Sequence, residues 1–453
     1  MLRLRFKCHL RQITAVLFGL FLCFPGYLWA DTLLEAVDQA LQNDPLLKVA
    51  GAQRNASLEI RSQAWAGWMP QISSQASFYK SNTRQSSVDT KGAVDYNYNS
   101  DAKGISFKQA LFNPRLWFNL KQSGAMVDMA EATYEIARND AINRVVSVYA
   151  EKLRLEKGIE AAKIDAASLE SRFHQQLGMQ KIGQASLVDV AQAEANLLQA
   201  GANMAQQSAQ LQATNLELAR ITGSQWDSPL NNQDYRRVAA ALTEAVDQAI
   251  KVTEEPLIEL HPQVVVKQKN LDAATLEIRK SQSDHSPTAS LVASWQEGTS
   301  QYDTNIGQKT TTMTVGVQLL FPIFSGGSVL SSNREKYALK EKAEYDLLQT
   351  RSMLQGERKR TLALLKAYLP ALKAGLESDK AAELQLKQAV LGIEAGIRSQ
   401  VDLDAAKANK AKVLAELFRS VAASLTLFTQ YQIALGVSMD GRLADISKAV
   451  SGR

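Results

Sequence analysis

The chain is an internal duplication, and this feature restricts its possible folds more than any other in the sequence. Residues 33–41 return as residues 242–250 with seven of the nine positions identical. Further along, Gly183 recurs as Gly396, an offset of 213 residues. A repeat of this length, with the same landmarks in the same order, predicts two copies of one structural unit.

The opening residues predict a secretory signal peptide over 1–30. Four basic residues precede an apolar stretch over 13–24, which is too short to span a bilayer. Both cysteines of the chain, Cys8 and Cys23, lie in this segment, so we expect neither a disulfide nor a thiolate metal site after its removal. Removing the four cations lowers the formal charge from +5 to +1, which argues against a nucleic-acid partner.

The remaining chain is predicted to contain two repeats. We assign residues 31–223 to the first repeat, 224–240 to a linker, 241–436 to the second repeat and 437–453 to a C-terminal tail. Each repeat is predicted to contain a helix, two strands, a very long helix and a last helix. The linker assignment rests on its Gly, Pro, Asn and Asp content.

Long proline-free tracts predict helices of unusual length. Residues 115–182 contain no proline and are rich in Ala, Leu, Gln, Glu and Lys, which suits a helix about 100 Å long at ~1.5 Å per residue. Apolar residues at spacings of three and four in these tracts indicate helices packed as coiled coils. A soluble helical bundle gives the same stripes. Pro370 predicts a bend where the helices taper inward, and Gly158, at a similar distance from its helix end, only permits one.

Alternating segments predict membrane strands of about ten residues. Met313, Val315, Val317 and Leu319 alternate with polar residues, and the segment 72–78 alternates in the same way. Strands with one apolar and one polar face suit a membrane barrel, although a soluble hairpin alternates too. Nearby aromatic residues are expected to form girdles at the membrane interfaces. They are Phe78, Tyr79, Tyr96, Tyr98, Phe107, Trp295 and Tyr302.

Four strands per chain are too few for a membrane barrel. An open sheet in lipid leaves the backbone groups of its edge strands unpaired, which is costly where water is absent. If the sheet lies in a membrane, several chains must therefore close one barrel together. Three chains give twelve strands, an even number in the known range.

In this arrangement the sequence resembles the TolC family of outer-membrane efflux and secretion proteins, over nearly the whole chain after the signal peptide. The resemblance rests on the duplicated Gly-x5-Asp turns and on the motifs ALFNP and FPIFSGG, which match the family's strand-to-helix joints. The joint residues are Phe112, Pro114, Pro322, Phe324, Gly326 and Gly327. The fold class implied is mixed α and β: long helical hairpins form a periplasmic tunnel, and four strands per chain join a shared twelve-stranded barrel.

The resemblance also implies a function and partners. Such a homotrimer lies in outer-membrane lipid of a Gram-negative cell, extends into the periplasm, and is the exit duct of a tripartite efflux pump or a type I secretion system. Its expected partners are a periplasmic adaptor protein and an inner-membrane transporter of the ABC, RND or MFS type.

Two helix-to-helix turns are predicted at the periplasmic end. Gly183 and Gly396 suit the left-handed position that ends a helix, and Ser186 and Ser399 suit the N-cap of the next helix. A turn and nothing more is the simple interpretation. The resemblance adds that these tips dock the adaptor.

The resemblance further implies a gate at this end. Arg398 matches an arginine that ties neighbouring helices together, with Asp189 as its expected partner. Asp402 matches an aspartate that rings the narrow entrance and binds cations. The sequence departs from the family at Ala405, where a second ring aspartate is missing, and at Ile393, where a latch tyrosine is missing. The alternative interpretation of Arg398 is a solvated charge near a helix start.

An enzyme is the competing class of function. After the signal peptide the histidines are His174, His261 and His285, with no pair at metal-ligand spacing in a helix. No nucleophile elbow, Walker loop or dinucleotide motif is present. We therefore expect no enzymatic activity, cofactor or metal. The other alternative is a periplasmic coiled-coil scaffold that forms no channel.

Overall fold

The computed structural model describes most of the chain. The described ranges are 33–86, 93–226, 229–230, 235–251, 258–302 and 307–436. The expected signal peptide and C-terminal tail lie outside these residues, as does part of the linker.

Both halves of the chain fold into the same succession of elements: two helices, two antiparallel strands, a very long helix and a shorter one. The first half contains α1 (Leu33–Asn43), α2 (Pro45–Ala66), β1 (Gln71–Ser86), β2 (Ala93–Phe112), α3 (Pro114–Lys181) and α4 (Leu187–Thr222). The second half contains α5 (Tyr235–Lys251), α6 (Pro262–Gln282), β3 (Thr288–Tyr302), β4 (Gln308–Leu320), α7 (Ser328–Glu394) and α8 (Gln400–Ala434).

Two helices precede each strand pair, where the sequence predicted one. The break falls at an X-Pro pair in both halves. Asp44 caps α2 by accepting a hydrogen bond from the Leu46 amide at 3.0 Å, and Pro45 occupies the first helical turn. In the second half, His261 accepts from the amide of Gln263 at 3.2 Å. Proline fixes φ and has no N–H to donate, so it begins a helix more easily than it continues one.

The four strands form one antiparallel sheet in the order β1-β2-β3-β4. The two repeats are therefore joined within the sheet, through the pairing of β2 with β3. The strands are 16, 20, 15 and 13 residues long, against about ten predicted. The extra length lies toward the turns, where alternation of apolar and polar residues stops and the sequence pattern gave no boundary.

The long helices continue without interruption through both Gly158 and Pro370. α3 has 68 residues and α7 has 67, with Pro370 inside α7. A Cβ atom at Gly158 would lie 2.5 Å from Oε1 of Gln207, so glycine at this position allows α4 to approach α3 closely. The inward taper stays a prediction.

The main core lies where the first helix of each half packs against the long helices. It joins buried residues of α1, α3, α4, α5, α7 and α8. Trp226, just after α4, is 1% exposed, meets the Tyr149 ring edge-on at 6.4 Å, and donates its indole N–H to Thr222 at 2.8 Å. Among the described helices, none is both long enough and apolar enough to cross a bilayer.

Neighbouring helices follow a fixed order at each level of the molecule. Near the sheet, α3 packs against α2 and α6, and α6 packs against α7. Toward the opposite end, α3 packs against α4 and α8, and α8 packs against α7. The resulting layers, α2-α3-α6-α7 and α4-α3-α8-α7, continue the order of the strands, so the described part of one chain forms a wall with two open sides.

Candidate channel wall and periplasmic gate

The sheet has an apolar face, as the sequence predicted. The register places Ile72, Phe107, Ala293 and Val315 in one row across the four strands. Ile72 is 71% exposed and Val315 is 63% exposed, so the described residues leave both ends of this row uncovered. An uncovered apolar face of this width suits contact with lipid.

The opposite face carries small polar side chains. Ser73, Ser106, Ser294 and Thr314 form the adjacent row, and the hydroxyls of Ser73 and Ser106 lie 2.7 Å apart. Hydroxyl groups of this kind can exchange hydrogen bonds with water at little cost. The sheet therefore separates an apolar side from a wet side, which is the requirement for the wall of an aqueous pore.

The aromatic residues divide between the two faces, and the predicted girdle is wrong for part of the set. Phe78, Phe107 and Trp295 occupy positions on the apolar face by the strand register. Tyr79 and Tyr98 occupy positions on the polar face, opposite Ser100 and Ser81. Successive residues of a strand point to opposite faces, so Phe78 and Tyr79 cannot both contact lipid.

Two of the strands are left with an open edge. β1 pairs only with β2, and β4 pairs only with β3, in the described sheet. In lipid these edges must be satisfied by strands of other chains. The helical layers have the same open sides, with α7 at one side at both levels. One chain is thus one part of a closed wall made of several chains.

The strand-to-helix joints differ between the halves. After Phe112, Asn113 caps α3 by accepting a hydrogen bond from the amide of Leu116 at 3.4 Å, and Pro114 begins the helix. The second joint is longer, from Phe321 to Gly327.

In this second joint, Gly326 and Gly327 have φ of 61° and 79°, a region that disfavours L side chains. Phe324 is 85% exposed and Pro322 lies two residues before it. This joint therefore extends the exposed apolar surface beyond the end of β4.

The first helix turn forms as the sequence predicted. Gly183 has φ of 73° and ends α3, and the amide of Gln184 donates to the carbonyl of Met179 at 2.8 Å. Ser186 accepts from the amide of Asp189 at 3.2 Å, and the Asp189 carboxylate accepts in return from the backbone amide and hydroxyl of Ser186. These hydrogen bonds from Ser186 lower the pKa of Asp189, so its charge is held in the capping box.

The second turn has the same construction. Gly396 has φ of 71°, and the amide of Ile397 donates to the carbonyl of Gly392 at 2.9 Å. Ser399 and Asp402 form the capping box of α8. Hydrogen bonds from Ser399, with a smaller contribution from the Arg398 charge, lower the pKa of Asp402. Asp402 therefore stays anionic until the pH falls below the usual carboxyl range.

Within the chain, Arg398 lies near Asp402 rather than Asp189. A Cβ atom at Gly392 would lie 2.8 Å from Cγ and Cδ of Arg398, so the arginine stem lies across this glycine. The described residues show neither a hydrogen bond nor an ion pair between Arg398 and Asp189. Sequence reasoning missed Gly392, although a glycine four residues before the turn glycine was visible in the sequence.

A polar contact ties α8 to α3 close to the tips. The hydroxyl of Ser171 donates to the Asp404 carboxylate at 3.3 Å, and the Gln400 side chain donates to the same carboxylate at 3.2 Å. The Asp404 side chain is 19% exposed, and Lys407 lies 3.6 Å from it. Only the bond from Ser171 crosses between helices, so this hydroxyl fixes α8 against α3.

A second charged cluster holds α5 against α7. Arg236 donates to the fully buried carboxylate of Asp379 at 2.6 Å and is also ion-paired with Glu383. The hydroxyl of Tyr235 donates to Asp379 at 3.1 Å. Burial, together with the Asp379 charge, raises the pKa of Tyr235 to about 12, whereas hydrogen bonding from Arg236 lowers the pKa of Glu383 to about 2.

Across the part of the chain that the structure describes, no group of three or more His, Cys, Asp or Glu residues is arranged to hold a metal ion. Of the residues predicted for the gate and the tips, Ser186, Asp189, Ser399 and Asp402 are engaged in helix caps. The arrangement is that of a sheet with one lipid-facing side, joined to long bundled helices.

This wall is open at both sides, and its sheet is apolar on one face. These are the features of one subunit of a membrane channel that several chains form together. A family model described as outer membrane efflux protein matches residues 36–224 and 255–427. These two segments fall in the two halves of the duplication and together cover most of the chain. The chain belongs to this family, which includes TolC.

The chain also resembles individual proteins of known role. It is 24% identical over 383 residues to the proteases secretion protein PrtF of Dickeya chrysanthemi, covering 83% of this chain and 82% of that protein. It is 25% identical over 394 residues to the outer membrane protein TolC of Vibrio cholerae, covering 84% and 85%.

Among solved structures, the Campylobacter jejuni CmeC outer membrane channel matches with a TM-score of 0.69 and 17% identity, covering 92% of this chain and 89% of that one. VceC from Vibrio cholerae matches with a TM-score of 0.65 and 17% identity, covering 90% and 97%. The fold is therefore that of these channels. The protein is an outer-membrane channel subunit of the TolC family that extends into the periplasm, acts as a trimer and has pump or secretion machinery as partners.

Proposed function

We propose that three copies of this chain form the exit duct of a tripartite efflux pump or type I secretion system, with a periplasmic adaptor and an inner-membrane transporter of the ABC, RND or MFS type as partners. The observation that carries the proposal is the sheet, which has one lipid-facing side, one wet side and two open edges. Relatives named for protease secretion and for efflux both match this chain over most of its length.

The two tips are proposed as the adaptor-docking sites. Each turn is fixed by its glycine and by its capping box, at Ser186 and Ser399. Exposed apolar side chains flank the turns. They are Ile182, Leu187, Val188 and Ile397. A rigid turn that presents uncovered apolar side chains suits docking of a helical hairpin, because little conformational entropy is lost on binding.

Cross-linking tests the docking. Residues 31–453 contain no cysteine, so one introduced thiol is unique once residues 1–30 are removed. We expect Gln184→Cys at the first tip to cross-link to the adaptor in cells that contain the whole assembly. The control is Gln206→Cys, on an exposed position of α4 away from the tip. Cross-linking that is equal at both positions, or absent at Gln184, contradicts tip docking.

The same end is proposed to hold the gate. Three copies of Asp402 around one axis would concentrate negative potential at the entrance and attract cations. Arg398 is proposed to clasp Asp189 of the neighbouring protomer, since Asp189 keeps one carboxylate oxygen outside its own capping box. The Ser171–Asp404 contact is proposed to hold the closed position within each chain.

Single-channel recording tests the gate. Arg398→Ala should raise the conductance of purified trimers in lipid bilayers, and Asp402→Ala should weaken their block by multivalent cations. The matched control is Arg419→Ala, which removes an exposed arginine of α8 whose ion pair within the described residues is with Glu416 on the same helix. Conductance and block equal to those of the parent in both gate variants would place the gate elsewhere.

A further inference from the structure

The sheet carries a charged row that the proposed function leaves unused. Lys103 of β2 and Lys309 of β4 each lie close to the carboxylate of Glu297 on β3, at 3.0 and 3.1 Å. The two lysine side chains are 59% and 62% exposed, and the Glu297 side chain is 18% exposed. The carboxylate therefore fixes two ammonium groups that remain open to solvent.

The row lies on the apolar face of the sheet. Ile105, Trp295 and Met313 form one row by register, and Lys103 and Glu297 lie two residues further toward the strand turns. Side chains separated by two residues point to the same face. Lys103 therefore shares the lipid-facing side with Ile105, and Glu297 shares it with Trp295.

Its height places the row at the edge of the bilayer. Leu319 and Met313, both on the apolar face, are six residues apart on β4. Six residues at ~3.3 Å span ~20 Å of strand, or about 15 Å across a bilayer at a tilt of ~40°. The exposed Phe321, Ile323 and Phe324 extend this apolar band on the helix side toward the ~25 Å of a membrane barrel. Lys103 and Glu297 form the row that follows Ile105, Trp295 and Met313, and Lys309 lies one row further toward the turns, in the row of Phe78. This is the extracellular side, because the helices extend into the periplasm.

The charge of the row selects its ligand. Within three rows toward the turns, this face carries Lys80, Lys103 and Lys309 against Asp101 and Glu297, a net charge of +1 per chain. Each ammonium group has three N–H donors and uses one of them on Glu297, so donors remain for an outside acceptor. A basic site at headgroup depth suits lipid phosphate. We propose that Lys103 and Lys309 bind the phosphate groups of an outer-leaflet glycolipid of the lipid A type.

The chain supplies a matched control for this site. Lys108 lies on the same strand as Lys103, but its position alternates to the polar face, between Gln71 and Val292. Replacing Lys108 removes the same charge from β2 without changing the lipid-facing row. Glu297→Gln instead raises the net charge of the row to +2 and keeps the side-chain size.

The test uses purified full-length trimers and measures lipid retention by native mass spectrometry. The probes are bisphosphorylated lipid A, the same lipid after removal of its phosphates, and phosphatidylethanolamine. Lys103→Ala with Lys309→Ala should lower retention of lipid A about tenfold or more. Lys108→Ala should retain it like the parent, and Glu297→Gln should retain it at least as well.

Several results overturn the proposal. They are equal retention by the double variant and the parent, equal retention of lipid A with and without phosphates, and a loss in Glu297→Gln trimers as large as in the double variant. The last result would show that the row acts only in holding the strands together. Adaptor docking and gating are measured separately, so a failure here leaves the proposed function unaffected.

Discussion

Removing the hydroxyl of Ser171 should loosen the closed gate. Ser171→Ala deletes the one hydrogen bond that Asp404 accepts from another helix among the described residues, at 3.3 Å. Bonds to charged groups contribute about 1.5–3 kcal/mol and exposed pairs about 0–1 kcal/mol, so this long and partly buried bond is worth about 1 kcal/mol per chain. If the three chains open together, the loss is about 3 kcal/mol, or a shift of about a hundredfold in the ratio of closed to open channels.

The assay is single-channel recording, combined with a double-mutant cycle. Ser171→Ala, Asp404→Ala and the pair should each raise the open fraction, and the pair should do so by less than the sum of the two free energies. Gln400→Ala is the control, because its bond to Asp404 stays within α8. An unchanged open fraction in Ser171→Ala, or strictly additive effects, refutes the role assigned to this contact.

Two further variants test the tips and the helix packing. Gly183→Leu places a bulky residue at φ of 73° and should impair export while trimers still form; export at the parental rate would contradict docking at this turn. Arg236→Ala leaves the carboxylate of Asp379 buried with Tyr235 as its remaining hydrogen-bond donor. Because Arg236 is 41% exposed, we expect a loss of about 2 kcal/mol in the free energy of unfolding, seen as a lower Tm. Adding Asp379→Ala to Arg236→Ala should restore part of the lost stability, because the buried carboxylate is then removed as well. A lower Tm in the double variant than in Arg236→Ala would contradict the reasoning.

Local pattern in the sequence was enough to predict the tips and the apolar face of the sheet. The turn glycines Gly183 and Gly396 and the serines three residues later specify the caps through neighbouring residues alone. Alternation also placed Met313 and Leu319 on one face. The same alternation, applied to the aromatic residues, would have placed Phe78 and Tyr79 on opposite faces.

The contacts between helices could not be predicted from a single sequence. Ser171 and Asp404 are 233 residues apart, and Arg236 and Asp379 are 143 apart. No local spacing relates them, because their meeting depends on how α3, α5, α7 and α8 pack. The partner of Asp404 on α3 could therefore not be predicted from the sequence.

The open edges of β1 and β4 have a genetic consequence. Every subunit pairs with one neighbour through β1 and with the other through β4. One subunit with damaged edge strands therefore breaks the pairing at two of the subunit interfaces. In a cell that expresses parental and edge-damaged chains equally, only about one trimer in eight would contain three parental copies if assembly were random. Alleles that damage these strands but leave the remaining surfaces competent for assembly should therefore be dominant over the parental allele.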